Sequence, residues 1–145
     1  MLQAIELENA IRNGIPISAQ MDFRVQQLTA QQITVSGGAN ENINVHNTAF
    51  AGSIYSICTL AAWGLTYSKL PKKCSLVMAK ASIEYLKPVQ GEITAKAPIT
   101  AQQTANLLEQ LASKGKARVT LSVTVINAQQ LAVIFHADLH VRMHR

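Results

Sequence analysis

The chain has 145 residues, 48% of them hydrophobic and 14% charged, and carries a formal net charge of +5. That length suits one domain over residues 1–145, and the composition excludes a disordered chain while supplying a core that needs neither disulfides nor metals. The basic balance suits an anionic ligand, but the cations are spread along the chain apart from Lys69, Lys72 and Lys73, which argues against a nucleic-acid surface.

Leu2 to Asn13 sets Leu2, Ile5, Leu7 and Ile11 at helical spacing, with acids early and Arg12 late. Gly14 is the expected stop, and Pro16 bars continuation. This run carries acids and no apolar core, so it does not read as a signal peptide. Met21 to Leu28 alternates, with Met21, Phe23 and Val25 against Asp22, Arg24 and Gln26, and Ile33 and Val35 continue after a Gln-rich turn. Period-two alternation predicts strands with one buried face. Gly37 and Gly38 then break the chain.

Asn42 to Ser68 holds no Asp, Glu, Lys or Arg. Within it Ala49 to Leu65 has helical composition and spans about 25 Å as a helix. A helix that is apolar all round is buried by protein or by lipid. Ser53, Ser56, Thr59, Thr66 and Ser68, with Gly52 and Gly64, weaken a membrane span, as do the alternating strands elsewhere. Cys58 and Cys74 form no metal spacing or disulfide framework, which fits a reducing cytoplasm.

Pro71 closes this region. Leu76 to Leu86 and Glu92 to Ile99 read as strands joined by the turn Lys87 to Gly91. Thr100 with Gln103 forms a capping box for a helix to about Ser113, ended by Gly115. Lys116 to Ile126 alternates, Asn127 to Gln130 is a turn, and Leu131 to Met143 pairs back as the last strand of a long hairpin. The expected class is α+β, with an antiparallel sheet and one helix buried on it.

Several residue types invite chemistry and also have plainer roles. Asn44, Asn47 and Thr48 precede the central helix and suit either a ligand or a helix cap. Thr59, as a hydroxyl within a buried helix, ordinarily bonds its own i−4 carbonyl. Cys58 reads as a small buried apolar residue. Ser53 and Ser56 do not form a nucleophile elbow. His136, Asp138, His140, Arg142 and His144 share one face of the last strand. A solvated outer face accounts for that pattern as well as a metal does, and no metal is assigned.

Three stretches together resemble the hot-dog fold, in which a curved antiparallel sheet wraps one long central helix. They are Asn44 to Ser53, the segment Ile83-Glu84-Tyr85-Leu86-Lys87-Pro88-Val89-Gln90-Gly91, and the closing hairpin. The second is similar to the strand-to-turn segment of acyl-CoA thioesterases. HNTAFAGSIYSICTLAAWG most resembles a bacterial thioesterase group also found fused behind acetyltransferase domains. The resemblance implies hydrolysis of an acyl thioester carried by coenzyme A or an acyl carrier protein, without a cofactor, at a site built by two subunits of a homodimer or tetramer. It also implies an association with an acetyltransferase domain. In the related thioesterases an asparagine precedes a His-Gly-Gly motif whose backbone amides hold the thioester oxygen, and a carboxylate two turns on activates water.

Laid on this chain, Asn44 matches the asparagine, Phe50, Ala51 and Gly52 fall on the His-Gly-Gly positions, and Thr59 stands where the acid belongs. Orphan amides at a helix start need no particular side chain to polarise a carbonyl. Thr59 can orient water but not take its proton. His46, of a type that titrates near neutrality, is the candidate base, with Glu41 and Glu84 of a partner subunit behind it. Asn47, Thr48, Phe50, Ala51, Gly52 and Ser53 are the expected substrate contacts, and Lys69, Lys72, Lys73 and Lys87 the candidates for coenzyme A phosphates. The rival reading is a non-catalytic acyl-CoA or acyl-carrier binding module that kept the pocket and lost the acid. A dehydratase is disfavoured for want of an acid on the helix.

Overall fold

The computed structural model describes residues 2–71 and 73–144, so Lys72 lies outside the described residues. Two helices open the chain. In α1 (Ala4–Gly14) the apolar spacing buries Leu7 and Ile11. The expected stop at Gly14 is followed at once by α2 (Pro16–Gln20), with proline in its first turn. Pro16 ends the first helix as expected but begins another, because its fixed φ and missing N–H suit a first helical turn.

The next strand is shorter than its alternation suggests. Met21 and Asp22 form a turn, Asp22 having φ 52°, and β1 (Arg24–Leu28) starts after it. It pairs antiparallel with β2 (Gln32–Gly37). As an edge strand β1 leaves outward N–H groups to be satisfied. Glu8 of α1 accepts one of them, from Val25 at 2.9 Å, and its other oxygen faces Arg24 at 3.6 Å. A nearly buried carboxylate is thereby paired from both sides.

The uncharged stretch folds as α3 (Ala51–Tyr67). Ile54, Ile57, Cys58, Leu60, Ala61, Ala62 and Leu65 are buried. Gly37 lets the sheet approach closely, since a Cβ there would stand 2.9 Å from Ile57 Cδ1. Burial is not uniform around the helix. Tyr55, Ser56, Thr59 and Trp63 are half-buried, and Tyr67 is exposed. They form one stripe at helical spacing.

Beyond it come β3 (Cys74–Tyr85), β4 (Ile93–Pro98), α4 (Ala101–Lys114), β5 (Lys116–Asn127) and β6 (Gln130–Met143). The six strands form one antiparallel sheet in the order β1-β2-β4-β5-β6-β3. The sheet curves around α3. Along β5, Ala117, Val119, Leu121, Val123 and Val125 face the core, opposite Val141, Leu139, Ala137, Phe135 and Val133 of β6. Trp63 of α3 donates its indole N–H to the Leu76 carbonyl of β3 at 3.1 Å.

The capping box of α4 forms as expected: Thr100 Oγ1 accepts from Gln103 N–H and Gln103 Oε1 from Thr100 N–H. Gly115 closes the helix at φ 70°. β4 pairs with β5 only at Ala95–Val125 and Lys96–Thr124, which leaves the first half of β5 without a strand on that side. Glutamines of α4 take the strand's place. Gln110 Oε1 accepts from Arg118 N–H at 3.2 Å and Gln103 Nε2 donates to the Thr120 carbonyl at 3.0 Å. No helix among the described residues is long and apolar enough to cross a membrane.

Candidate active site

The loop entering α3 is built around Asn44. Its Oδ1 accepts from the N–H groups of His46 at 2.8 Å and Thr48 at 3.2 Å, and its Nδ2 donates to Thr48 Oγ1 at 3.0 Å. Its backbone N–H donates to the Thr48 carbonyl, and its carbonyl accepts from Asn47 N–H. Asn47 adopts φ 61°, a left-handed conformation that asparagine tolerates better than most residues. Asn42 anchors the stem, donating from Nδ2 to the carbonyls of Met21 and Gly38. The far end of the loop is tied to the β3–β4 connection through Ala49 N–H and the Val89 carbonyl, 2.8 Å apart.

No side chain caps α3, whose N-cap is Phe50 in an extended conformation. The N–H groups of Ala51, Gly52 and Ser53 therefore point out of the helix start without an intrahelical partner. Phe50 folds back over Gly52, where a Cβ would stand 2.6 Å from the ring. A Cβ there would have to displace this exposed ring.

A cavity of about 320 Å3 opens beside this helix start. Asn44, Thr48, Ala51 and Ile54 line one wall. Tyr85, Lys87, Pro88 and Val89 line the other. The Tyr85 hydroxyl donates to the Ala51 carbonyl at 2.8 Å, bracing the end of β3 against the first turn of α3. Burial raises the pKa of Tyr85, helped by the neighbouring Cys58 and Tyr55, so the phenol stays a neutral donor at working pH. Lys87 Nζ donates to Gln130 Oε1 at 2.6 Å, tying this wall to the start of β6.

Of the residues expected at a site, the structure thus brings Asn44, Thr48, Ala51 and Lys87 together at one cavity. Gly52, Phe50 and half-buried Ser53 stand beside it in the same turn. His46 and Asn47 are exposed at the loop tip, outside the cavity wall. Thr59 is half-buried two turns on, and its hydroxyl donates to the Tyr55 carbonyl at 2.9 Å. Glu41 and Glu84 are exposed and do not line the cavity. Lys69 and Lys73 lie elsewhere; Lys69 Nζ bonds the Ala30 carbonyl, and burial lowers its pKa. Cys58 is fully buried, and burial pushes its thiol up to about 12, which leaves no thiolate for attack. On β6, His136 pairs with Ser122 and Asp138 with Thr120. Among the described residues no group of three His, Cys, Asp or Glu side chains is placed to hold a metal.

On the far wall, Lys87 is the one residue the sequence offered as a candidate; Tyr85, Leu86, Pro88 and Val89 were not singled out as site residues. The signal was present in the segment Ile83 to Gly91, but only the tertiary contact through Ala49 and Val89 shows that it faces the helix start.

A curved antiparallel sheet around a central helix, with a cavity at that helix's N-terminus, is the hot-dog architecture of thioesterases. Residues 4–142 match the family described as "Putative thioesterase (yiiD_Cterm)", and the chain belongs to that family. Among solved structures it is similar to the "putative thioesterase from Shewanella oneidensis", with 32% identity, TM-score 0.85 and 97% of each chain covered. A protein of unknown function from Chlorobaculum tepidum has 24% identity and TM-score 0.90 over 97% of this chain and 94% of that one. A "probable thioesterase" from Pseudomonas aeruginosa has 16% identity and TM-score 0.87 over 99% and 97%. The last two show the fold alone.

Proposed function

We propose that the protein hydrolyses acyl thioesters carried by coenzyme A or an acyl carrier protein at the N-terminus of α3. The observation that carries this reading is the uncapped helix start opening onto the cavity of about 320 Å3. The thioester oxygen accepts from the amides at Ala51, Gly52 and Ser53, where the helix dipole also favours developing negative charge. Asn44 holds the loop that aims these amides, and Thr48, Ile54 and Val89 contact the acyl group. Water adds to the carbonyl carbon, the C–S bond breaks, and the thiolate leaves and is protonated. The Thr59 hydrogen is committed to Tyr55, so Thr59 offers water only an acceptor lone pair. His46 stands outside the cavity wall on the loop tip, so its part in this reading is to take the proton through an intervening water.

A homodimer, or a tetramer built from it, belongs to the same reading. β3 is an edge strand of 12 residues, and the half-buried stripe of α3 lies beside it. Phe50 beside the cavity and Leu86 in its wall are 54% and 47% exposed. A second copy would cover these apolar groups and bring further residues to each site. A cytoplasmic location and an association with an acetyltransferase domain are part of this proposal.

The second reading is an acyl-CoA or acyl-carrier binding module, favoured by the absence of Asp and Glu from the cavity lining among the described residues. Release of free thiol from a panel of acyl-CoAs and acyl carriers separates the two. Turnover above the uncatalysed background supports the hydrolase, whereas tight binding without thiol release under either carrier overturns it. In an active protein His46→Ala is expected to lower kcat at least tenfold, and unchanged turnover would remove His46 from the mechanism.

A further inference from the structure

The outer face of the sheet carries a second concavity. Across β5 and β6, Lys116 stands directly opposite Arg142 and Arg118 directly opposite His140. All four point outward, because Ala117, Val119, Leu139 and Val141 between them are buried. Cross-strand partners are about 5 Å apart and next-but-one residues about 7 Å. Four basic side chains therefore occupy the corners of one small rectangle. Lys114, in the last turn of α4, adds a fifth to the same cleft of about 560 Å3. Gln110, whose oxygen is engaged by Arg118 N–H, leaves its NH2 as a donor there.

No Asp or Glu among the described residues lines this cleft. The nearest acids on the same elements are Asp138, which Thr120 engages at 2.8 Å, and exposed Glu109. The ion pairs among the described residues join Arg12 and Arg24 to Asp22 and Glu8, and none includes a cleft cation. Like charges placed directly across a sheet destabilise it. A face required only for solubility intersperses both signs. Consecutive basic pairs, reinforced from a helix end and with no acid lining the cleft among the described residues, are instead what an anion needs.

We propose that this cleft is a second ligand site that takes an oligophosphate, free or carried on a nucleotide. Lys114, Lys116, Arg118 and Arg142 together carry more positive charge than a single phosphate balances, whereas linked phosphates match it. Arg118 and Arg142 supply planar forks that match phosphate oxygens in pairs. Val77, 58% exposed at the cleft edge, offers an apolar shelf to a nucleotide base. The site is separate from the cavity at α3. Ser75 and Val77 mark it on β3, Tyr85 marks the other, and that length of strand is about 26–33 Å.

Calorimetric titration of the full chain at low salt with tripolyphosphate, and in parallel with ATP, tests the proposal. Saturable binding is expected, weakened at least tenfold in the Arg118→Gln/Arg142→Gln variant and unchanged in Ala51→Phe, which fills the other cavity. Tighter binding of ATP than of tripolyphosphate assigns a nucleotide, and equal binding a free oligophosphate. Without ligand the double variant is expected to melt no lower than the native chain, because repulsion is relieved; ligand should raise the melting temperature of the native chain only. No saturable binding of either probe, or equal affinity in the double variant, overturns the proposal, as does binding confined to acidic proteins or vesicles.

Discussion

Asn44 is the residue on which the loop geometry depends. Its side chain satisfies the N–H groups of His46 and Thr48, and its replacement by alanine leaves both without that acceptor. Asn44→Ala is expected to cost about 1–2 kcal/mol in urea unfolding, whereas Asn44→Asp keeps the acceptor and costs less. A loop that needs no Asn44 side chain would give equal midpoints for both variants and the native chain. Cys58 allows a test by pH. Its thiol is held at about 12 by burial against an ordinary value of 9.0. Below pH 9 it is neutral in both states. Between the two values the unfolded chain loses the proton and the folded chain keeps it, so the unfolded state binds fewer protons. Stability from this group therefore falls as pH rises, by about 1.4 kcal/mol per unit. The native chain should show a steeper alkaline loss of stability than Cys58→Ala between pH 9 and 11. Parallel slopes would mean that the thiol is not held from water.

At the scale of elements, α4 acts as a substitute for a missing strand. Gln110 takes the N–H of Arg118 and Gln103 the carbonyl of Thr120, where β4 does not reach. Gln110→Ala is expected to destabilise by about 1 kcal/mol and to speed hydrogen exchange at the Arg118 amide above its strand neighbours. Unaltered exchange there would show that the glutamine contributes nothing to that edge. Elements whose chemistry sits within a few residues were legible in the sequence. Thr100 with Gln103 marked the start of α4, Gly115 its end, and the alternation from Ala117 to Val125 the buried face of β5. Pro16 was legible as a break but not as a beginning, because the same fixed φ serves both roles. The start of β1 was misplaced because Met21 and Phe23 are buried as a strand's inner face would be, although Asp22 between them turns the chain.

At the scale of the whole molecule, the pairing of β3 with β6 rather than with β4 is a long-range choice that no local pattern encodes. The same holds for the site. The helix start and its small residues could be read from Asn44 to Ser53, but the wall from Tyr85 to Val89 meets it only because the sheet folds around α3. The stripe of Tyr55, Thr59 and Trp63 was expected to be buried with the rest of the uncharged helix, and within one protomer it stays half-open. The second copy proposed above would close that stripe.

The position of the reacting carbonyl is the central claim. Ala51 is exposed at the first turn of α3 and lines the cavity, so a larger side chain there blocks the amides without disturbing the core. The decisive measurement is steady-state thiol release by the native chain and by Ala51→Phe on the best acyl thioester substrate, with melting temperatures recorded for both. A drop in kcat/KM of at least tenfold with little change in melting temperature is expected. Equal kcat/KM in a folded Ala51→Phe variant would place the chemistry elsewhere, and no thiol release by the native chain would contradict hydrolysis itself.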